Sequence, residues 1–487
     1  MEDTTTPHVA ILPSPGMGHL IPLAELARHL VHTHNLSVTV ISASNDPSRK
    51  AQDAVAAALP TNVNAMSLPP VSTDDLPPHT NIETTIITTM LRSLPSLRQA
   101  LRTLASTTRL VALIADLFGP DAFDVAREFG VAPYLFFTSS AMGLSFCLHL
   151  PALDQQYSGE YRDMPEPLEL PGCVPLHGKD FVDPVQDRKN EGYRLFLRNV
   201  KRFREADGIL VNSFEELQPS CVKALREDRA ANFPPIYPVG PLTRRKESSS
   251  SSTSHDQEYC LRWLDKQPRG SVLFVCFGSG GTLTAEQLHE LALGLEMSEQ
   301  RFLWVARCPN DKDAGASFFG GGSSKDPLAF LPRGFEARTK HVGVVIPWRA
   351  PQVQVLSHKS TGGFITHCGW NSTLESIVHG VPMIAWPLYA EQKMNAVMMV
   401  GELKVALRPA ADERGMVGRE EIAGVVKCLM EGEEGKRLRR RMEELKVGSA
   451  KALAEAEAGS SYTALSGLAG KWKRNIEGRP STSTVPN

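Results

Sequence analysis

The stretch HVAILPSPGMGHLIPLAELARHLVHTHNLSVTVIS (His8–Ser42) holds four signals in succession. His8–Ser14 is a short apolar strand, and Pro15–His19 is a glycine turn. From Leu20 to His34 leucines recur at helical spacing, and LSVTVIS reads as the next strand. Strand, turn, helix and strand in this order form a βαβ unit, the seed of a parallel sheet.

The rhythm continues. LVALIADLF is a strand running into a loop, DAFDVAREFG a helix, and ADGILVNSFEELQP a strand entering a polar turn. RRKESSSSSTSHDQ (Arg244–Gln257) then breaks the pattern as a serine-rich linker. Afterwards Ser271–Phe277 is a strand, GSGG a glycine loop, and Thr284 with Gln287 a capping box. Leu288, Leu291, Ala292 and Leu295 line one face of the helix that follows. Two runs of alternating strand and helix predict an α/β protein of two doubly wound parallel-sheet domains facing across a cleft. The expected boundaries are 1–243 for the first domain, 244–258 for the linker and 259–455 for the second domain. A terminal helix over 456–478 and a disordered tail over 479–487 complete the expectation, and 311–327 reads as a mobile surface loop.

The chain has 487 residues, ample for two domains, and its 42% hydrophobic and 22% charged content is that of a soluble globular protein. A net charge of −2 argues against a general nucleic-acid binder. The basic run around Lys436–Arg441 alternates with glutamates and reads as a solvated helix face. The acidic start lacks a signal-peptide pattern, and no apolar stretch is long enough to span a bilayer. Eight cysteines without a CxxC pair fit reduced thiols, so a cytoplasmic enzyme is expected, without metal or bound cofactor, and a monomer.

Phe364–Gln392, FITHCGWNSTLESIVHGVPMIAWPLYAEQ, mixes site-forming side chains with glycine turns. GGFIT is a buried strand, HCG a turn, WNSTLESIVHG a helix closed by Gly380, and VPMIAWP the next strand. Asn371 and Ser372 thus fall in a first helical turn, where free N–H groups and the dipole attract anions, and His367 just before it adds a donor. Together they suit a diphosphate. Glu375 shares their face and suits the two hydroxyls of a ribose. Glu391 and Gln392, after the next strand, suit a second polyol, a sugar. Each residue alone has a plainer reading as cap, core or solvated side chain; the set at this spacing does not.

A sugar acceptor also needs a base. His19 follows Gly16 and Gly18 at the first strand–helix turn. Alone it reads as a helix-start histidine, but Asp116, ending the strand LVALIA, opens onto the same cleft and would orient it. Asp121 and Asp124 are rivals placed in the next loop and helix. Phe118, Phe137, Phe146 and His149 are candidate acceptor-pocket residues.

Ala350–Gln392 resembles the signature box of plant secondary-product glycosyltransferases, which use nucleotide-diphosphate sugars. PSPGMGHLIPL, ILVNSFEEL, YPVGPL, CLRWLDKQPRGSVLFVCFGS and LALGLEMSEQRFLWV agree with the same family over nearly the whole chain. DLFGPDAFDVA and AEQKMNAVM are most similar to its phenol-glucosylating, arbutin-forming branch. The resemblance implies the GT-B fold, with the acceptor in the first domain (1–243) and the UDP-sugar in the second (259–455), and inverting transfer from UDP-glucose, as a co-substrate, to hydroquinone-like phenols, phenylpropanoids or flavonoids. It implies His19 and Asp116 as the catalytic dyad. It places Ser279, His367, Asn371 and Ser372 on the diphosphate, Glu375 on the ribose, and Trp370, Glu391 and Gln392 on the sugar. Ala350 and Gln352 would hold uracil and ribose. The family's box normally opens with a Trp that stacks on uracil; here it opens at Arg349, one position after Trp348. Arg there accompanies UDP-glucuronate use in some relatives, so glucuronate is an alternative donor. A non-catalytic nucleotide-sugar binder is disfavoured by the dyad.

Overall fold

The computed structural model describes residues 6–45, 59–77, 80–228, 232–244, 255–311, 326–347 and 349–474. The first sheet contains β1 (Pro7–Leu12), β2 (Ser37–Ser42), β3 (Val63–Ser67), β4 (Arg109–Asp116), β5 (Ala132–Phe137), β6 (Ile209–Val211) and β7 (Ile236–Pro238). Their order is β3-β2-β1-β4-β5-β6-β7, with every pairing parallel. The second sheet contains β8 (Val272–Cys276), β9 (Arg301–Ala306), β10 (Gly343–Pro347), β11 (Thr361–Thr366), β12 (Met383–Ala385) and β13 (Ala406–Leu407). Its order is β10-β9-β8-β11-β12-β13, again all parallel.

Each sheet reverses its winding once, between β1 and β4 and between β8 and β11. At such a reversal the loops at the carboxyl ends part and leave a crevice, the usual ligand site of open α/β sheets. Register sharpens the point. Leu12 pairs with Ala115, so β1 and β4 end level; Thr366 pairs with both Cys276 and Ala385, so β8, β11 and β12 end level. The loops after these strands therefore emerge side by side.

Local details depart from the sequence reading. The first helix is Met17–His32, so the glycine turn is shorter than Pro15–His19. Gly16 makes the reversal by itself at φ 117, a region that side chains disfavour, and the chain winds immediately afterwards. Thr284 caps the helix Ala285–Ser298 through the Gln287 N–H at 3.1 Å, but Gln287 does not reach back. Its amide instead exchanges two hydrogen bonds with the Val417 backbone, at 2.9 and 3.0 Å. Helix His255–Asp265 begins inside the stretch read as linker, because Cys260 and Leu264 give it a buried face. Residues 245–254 of that linker, nearly all of the loop at 311–327 and the tail at 479–487 lie outside the described residues. The last helix, Ser460–Arg474, lays Leu465, Leu468, Ala469 and Trp472 on the first sheet, with Trp472 edge-on to Tyr134 at 5.3 Å. No helix among the described residues is long and apolar enough to cross a membrane.

Candidate active site

At the first switch point, His19 Nδ1 lies 3.0 Å from Asp116 Oδ2. Asp116 is fully buried, and its other oxygen accepts the Phe118 N–H at 3.3 Å. With Nδ1–H given to the carboxylate, Nε2 carries the lone pair available to an acceptor. Burial disfavours the charged ring, but the Asp116 charge and hydrogen bond, with Glu391 and Glu83 behind them, outweigh it. The net effect raises the His19 pKa above the ordinary 6.5. Phe118 sits edge-on to His19, ring centroids 5.3 Å apart. Asp121, itself buried, is tied to Arg198 and Arg202, and Asp124 to Arg202, so both rivals are engaged in an ion cluster with these arginines.

Glu83 is a residue that the sequence reading missed. It occupies the first turn of helix Ile82–Thr107, where an acidic side chain is ordinary complement to the dipole and signals nothing more. Burial, together with Asp183 and Glu391, pushes its carboxyl up to about 7.

At the second switch point, His367 follows β11 and is packed between two glycines. A Cβ on Gly278 would stand 2.5 Å from its ring, and one on Gly369 2.4 Å from Nε2. Burial, reinforced by the Arg307 charge, pulls His367 down to about 4, so it is a neutral donor near neutral pH. Its buried Nδ1 has no hydrogen-bond partner among the described residues. Helix Trp370–His379 begins three residues on and closes at Gly380, φ 74. Gln352 Nε2 donates to Ser372 Oγ at 2.9 Å and to Glu375 Oε2 at 2.7 Å, so the three residues form one cluster. Burial raises the Glu375 pKa, while Gln352 and Arg244 oppose the shift. Ser279 is exposed in the loop after β8. Gln392 Oε1 accepts the N–H groups of Leu388 and Tyr389 at 2.9 and 3.0 Å, leaving its NH2 group as donor. Glu391 accepts from Ser139 at 3.3 Å and Asn395 at 3.4 Å; burial raises its pKa, with His19 opposing.

Contacts cross between the two sheets' loops. Pro22 has no N–H, so the Gly18 carbonyl lacks an intrahelical donor; Asn371 Nδ2 supplies one at 2.9 Å. The Trp370 indole is buried, and its N–H donates to the Asn212 carbonyl at 2.7 Å. Its one polar side-chain atom is therefore spent on the other domain. Its backbone N–H falls in the first helical turn, where donors have no intrahelical partner.

The remaining candidates separate. Phe137 packs on Phe203 at 6.3 Å, and Phe146 is fully buried on Phe181 at 4.8 Å. His149 bonds the Ser145 carbonyl at 2.7 Å and stacks edge-on to Phe233 at 5.3 Å, facing Asp228 rather than the dyad. Of the four expected pocket residues, only Phe118 is in ring contact with His19. Arg349 is exposed, Ala350 is partly buried, and Trp348 lies outside the described residues. Among the described residues, no three His, Cys, Asp or Glu side chains are grouped to hold a metal ion.

Residues 214–438 match the family model "UDP-glucoronosyl and UDP-glucosyl transferase". The chain is 58% identical to a hydroquinone glucosyltransferase of Rauvolfia serpentina, covering 97% of this chain and 99% of that protein. It is 56% identical to UDP-glycosyltransferase 72B1 of Arabidopsis thaliana, covering 97% and 98%. Among solved structures, a Phytolacca americana enzyme complexed with UDP-2fluoro-glucose and pterostilbene superposes with a TM-score of 0.86 at 51% identity, covering 96% of this chain and 100% of that one. A UDP-glucosyltransferase of Polygonum tinctorium, capable of glucosylating indoxyl and complexed with 3,4-dichloroaniline, gives 0.88 at 48% identity, covering 96% and 99%. With its two parallel-sheet domains, its paired switch-point clusters and relatives matched over nearly their full length, the chain belongs to the UDP-glycosyltransferases of GT-B fold.

Proposed function

We propose that this UDP-glycosyltransferase moves glucose from UDP-glucose to the hydroxyl of small phenols, inverting the anomeric carbon. The observation that carries the reading is the His19–Asp116 pair at one switch point, joined through the Asn371–Gly18 contact to the helix N-terminus at the other. In the proposed step, His19 Nε2 takes the phenol proton while the oxygen attacks C1 from the face opposite UDP. The C1–phosphate oxygen bond breaks, and its electron pair leaves with UDP. Asp116 stabilises the imidazolium. The first turn of helix Trp370–His379, with His367, meets the charge developing on the diphosphate. Glu375 and Gln352 would hold the ribose, and Glu391, Gln392 and the Trp370 N–H the sugar. Two of the relatives named above are glucosyltransferases, and an ionised Glu391 would repel a sugar carboxylate; glucuronate is therefore not proposed.

The test is incubation with UDP-glucose and hydroquinone. A product one anhydrohexose heavier, β-linked by NMR coupling, is expected together with released UDP. Absence of UDP release across a panel of phenols would refute the reading.

Arg349 tests the donor end. It is exposed, and its charge and that of Arg307 repel each other at this side of the site. An indole at this position would stack on uracil more favourably by about 1 kcal/mol, so Arg349→Trp should improve kcat/KM for UDP-glucose about fivefold. The native ratio of kcat/KM for UDP-glucose over UDP-glucuronate, with one shared phenol, should favour glucose and survive the substitution. A native preference for glucuronate would reverse the donor assignment and leave the dyad untouched.

A further inference from the structure

The turn that carries Glu391 and Gln392 is gripped from the opposite domain. Asp183 Oδ2 accepts the Ala390 N–H at 2.6 Å, and the Asp183 N–H donates to the Ala390 carbonyl at 3.1 Å. Ala390 is in the left-handed region, φ 58, which a residue with a Cβ adopts at a cost. A two-way hydrogen bond, one arm to a carboxylate, is what holds it there. From inside, Gln392 Oε1 ties the turn through Leu388 and Tyr389. From outside, Asp183 is the described residue that bonds both backbone groups of Ala390.

Asp183 is itself fixed. It opens the short 3-10 turn Asp183–Val185, and Gln186 Nε2 bonds the carbonyls of Gly178 and Phe181 at 3.0 and 2.9 Å. Phe181 is buried edge-on to Phe146 in the first domain's core. Nearby, Asp180 faces Arg408 of the second domain at 3.5 Å, a second cross-domain attachment of the same loop. A rigid part of the acceptor domain thereby sets the backbone of the sugar-facing turn. The residues assigned to uracil, ribose and diphosphate lie on other segments, the loops and helix starts after β8, β10 and β11.

We propose that Asp183 is a positioning residue for the donor sugar, fixing Glu391 and Gln392 through Ala390 and making sugar selection depend on the acceptor domain. This rests on the donor reading above. Loss of the clamp should disturb how the hexose is held and leave the grip on UDP intact.

The experiment compares native enzyme, Asp183→Ala and Asp183→Asn as full chains. It measures UDP affinity by calorimetry, and kinetics with UDP-glucose and UDP-galactose on hydroquinone. Asp183→Ala should raise KM for UDP-glucose about tenfold, the order expected for losing a hydrogen bond to a charged group, and narrow the preference for glucose over galactose. UDP affinity should stay within about twofold, since none of the UDP-facing groups is touched. Asp183→Asn retains an oxygen for the Ala390 N–H and should recover most of the loss. An Asp183→Ala enzyme with native KM and native epimer preference overturns the assignment. So does an equal weakening of UDP and UDP-glucose, which would mark a merely structural role. A native enzyme inert with UDP-glucose overturns the donor reading, and this assignment with it.

Discussion

His19→Ala should lower kcat on a weakly acidic alcohol or phenol by about a hundredfold or more, the scale of general-base catalysis, while calorimetry finds UDP affinity nearly unchanged. The acceptor's acidity is the control. A strongly acidic phenol is already ionised in water and should lose far less. The native enzyme should also show an acid limb in kcat/KM. The base form must be neutral, and the pKa of His19 is raised above 6.5 because Asp116, Glu391 and Glu83 outweigh burial. A raised pKa keeps the proton on the ring to higher pH, so activity climbs as pH rises through a midpoint above 6.5. Asp116→Asn removes the charge that holds the ring protonated and should move this limb to lower pH, with a lower plateau because the tautomer is no longer fixed. Near-native turnover of His19→Ala on an aliphatic alcohol would dismiss His19 as base.

The elements that position the site were legible because their signals are local. Strand, glycine turn and leucine spacing in His8–Ser42 announce a βαβ unit, and a carboxylate at the end of an apolar strand, Asp116, stands out against its neighbours. The helix Trp370–His379, its closure at Gly380 and the placement of Asn371, Ser372 and Glu375 on it follow from the same kind of pattern. What was not legible is what the two domains do to each other. Asn371 and Gly18 are 353 residues apart, and nothing in either segment's periodicity records that Pro22 frees a carbonyl for an amide so distant. The family resemblance puts Trp370 on the sugar, but nothing local records that its indole N–H answers the Asn212 carbonyl. Glu83 looks like a helix-start acid until the fold brings it within electrostatic reach of Glu391 and His19, and Asp183 has no local signal for its bond to Ala390, 207 residues away. Gln287 has the spacing of a capping box, but the Val417 backbone offers its amide two bonds where the cap offers one. In each case tertiary proximity decided between side-chain partners that local sequence left equivalent.

The donor side makes the second large prediction. Glu375→Ala should weaken UDP binding by about a hundredfold or more, because two ribose hydroxyls would lose a carboxylate acceptor and bonds to charged groups contribute about 1.5–3 kcal/mol each. The loss should fall mainly on binding, since the ribose is far from the reacting carbon and is held alike before and during transfer. Gln352 offers a control on folding. Its Nε2 bonds both Ser372 Oγ and Glu375 Oε2, so in the variant it keeps the first partner and the cluster is not left wholly unpaired. Burial raises the Glu375 pKa, which makes ionised Glu375 costly to keep without donors; ribose hydroxyls would be such donors, and UDP should therefore bind less well as pH falls through that raised pKa. A thermodynamic cycle separates a ribose contact from a general disturbance. Native and variant enzyme are each titrated with UDP and with 2′,3′-dideoxy-UDP. If the hydroxyls and Glu375 are partners, removing either forfeits the same energy, and the dideoxy nucleotide should bind the variant about as well as UDP does. If the two losses simply add, the hydroxyls are held elsewhere, and Glu375 acts only by placing Gln352.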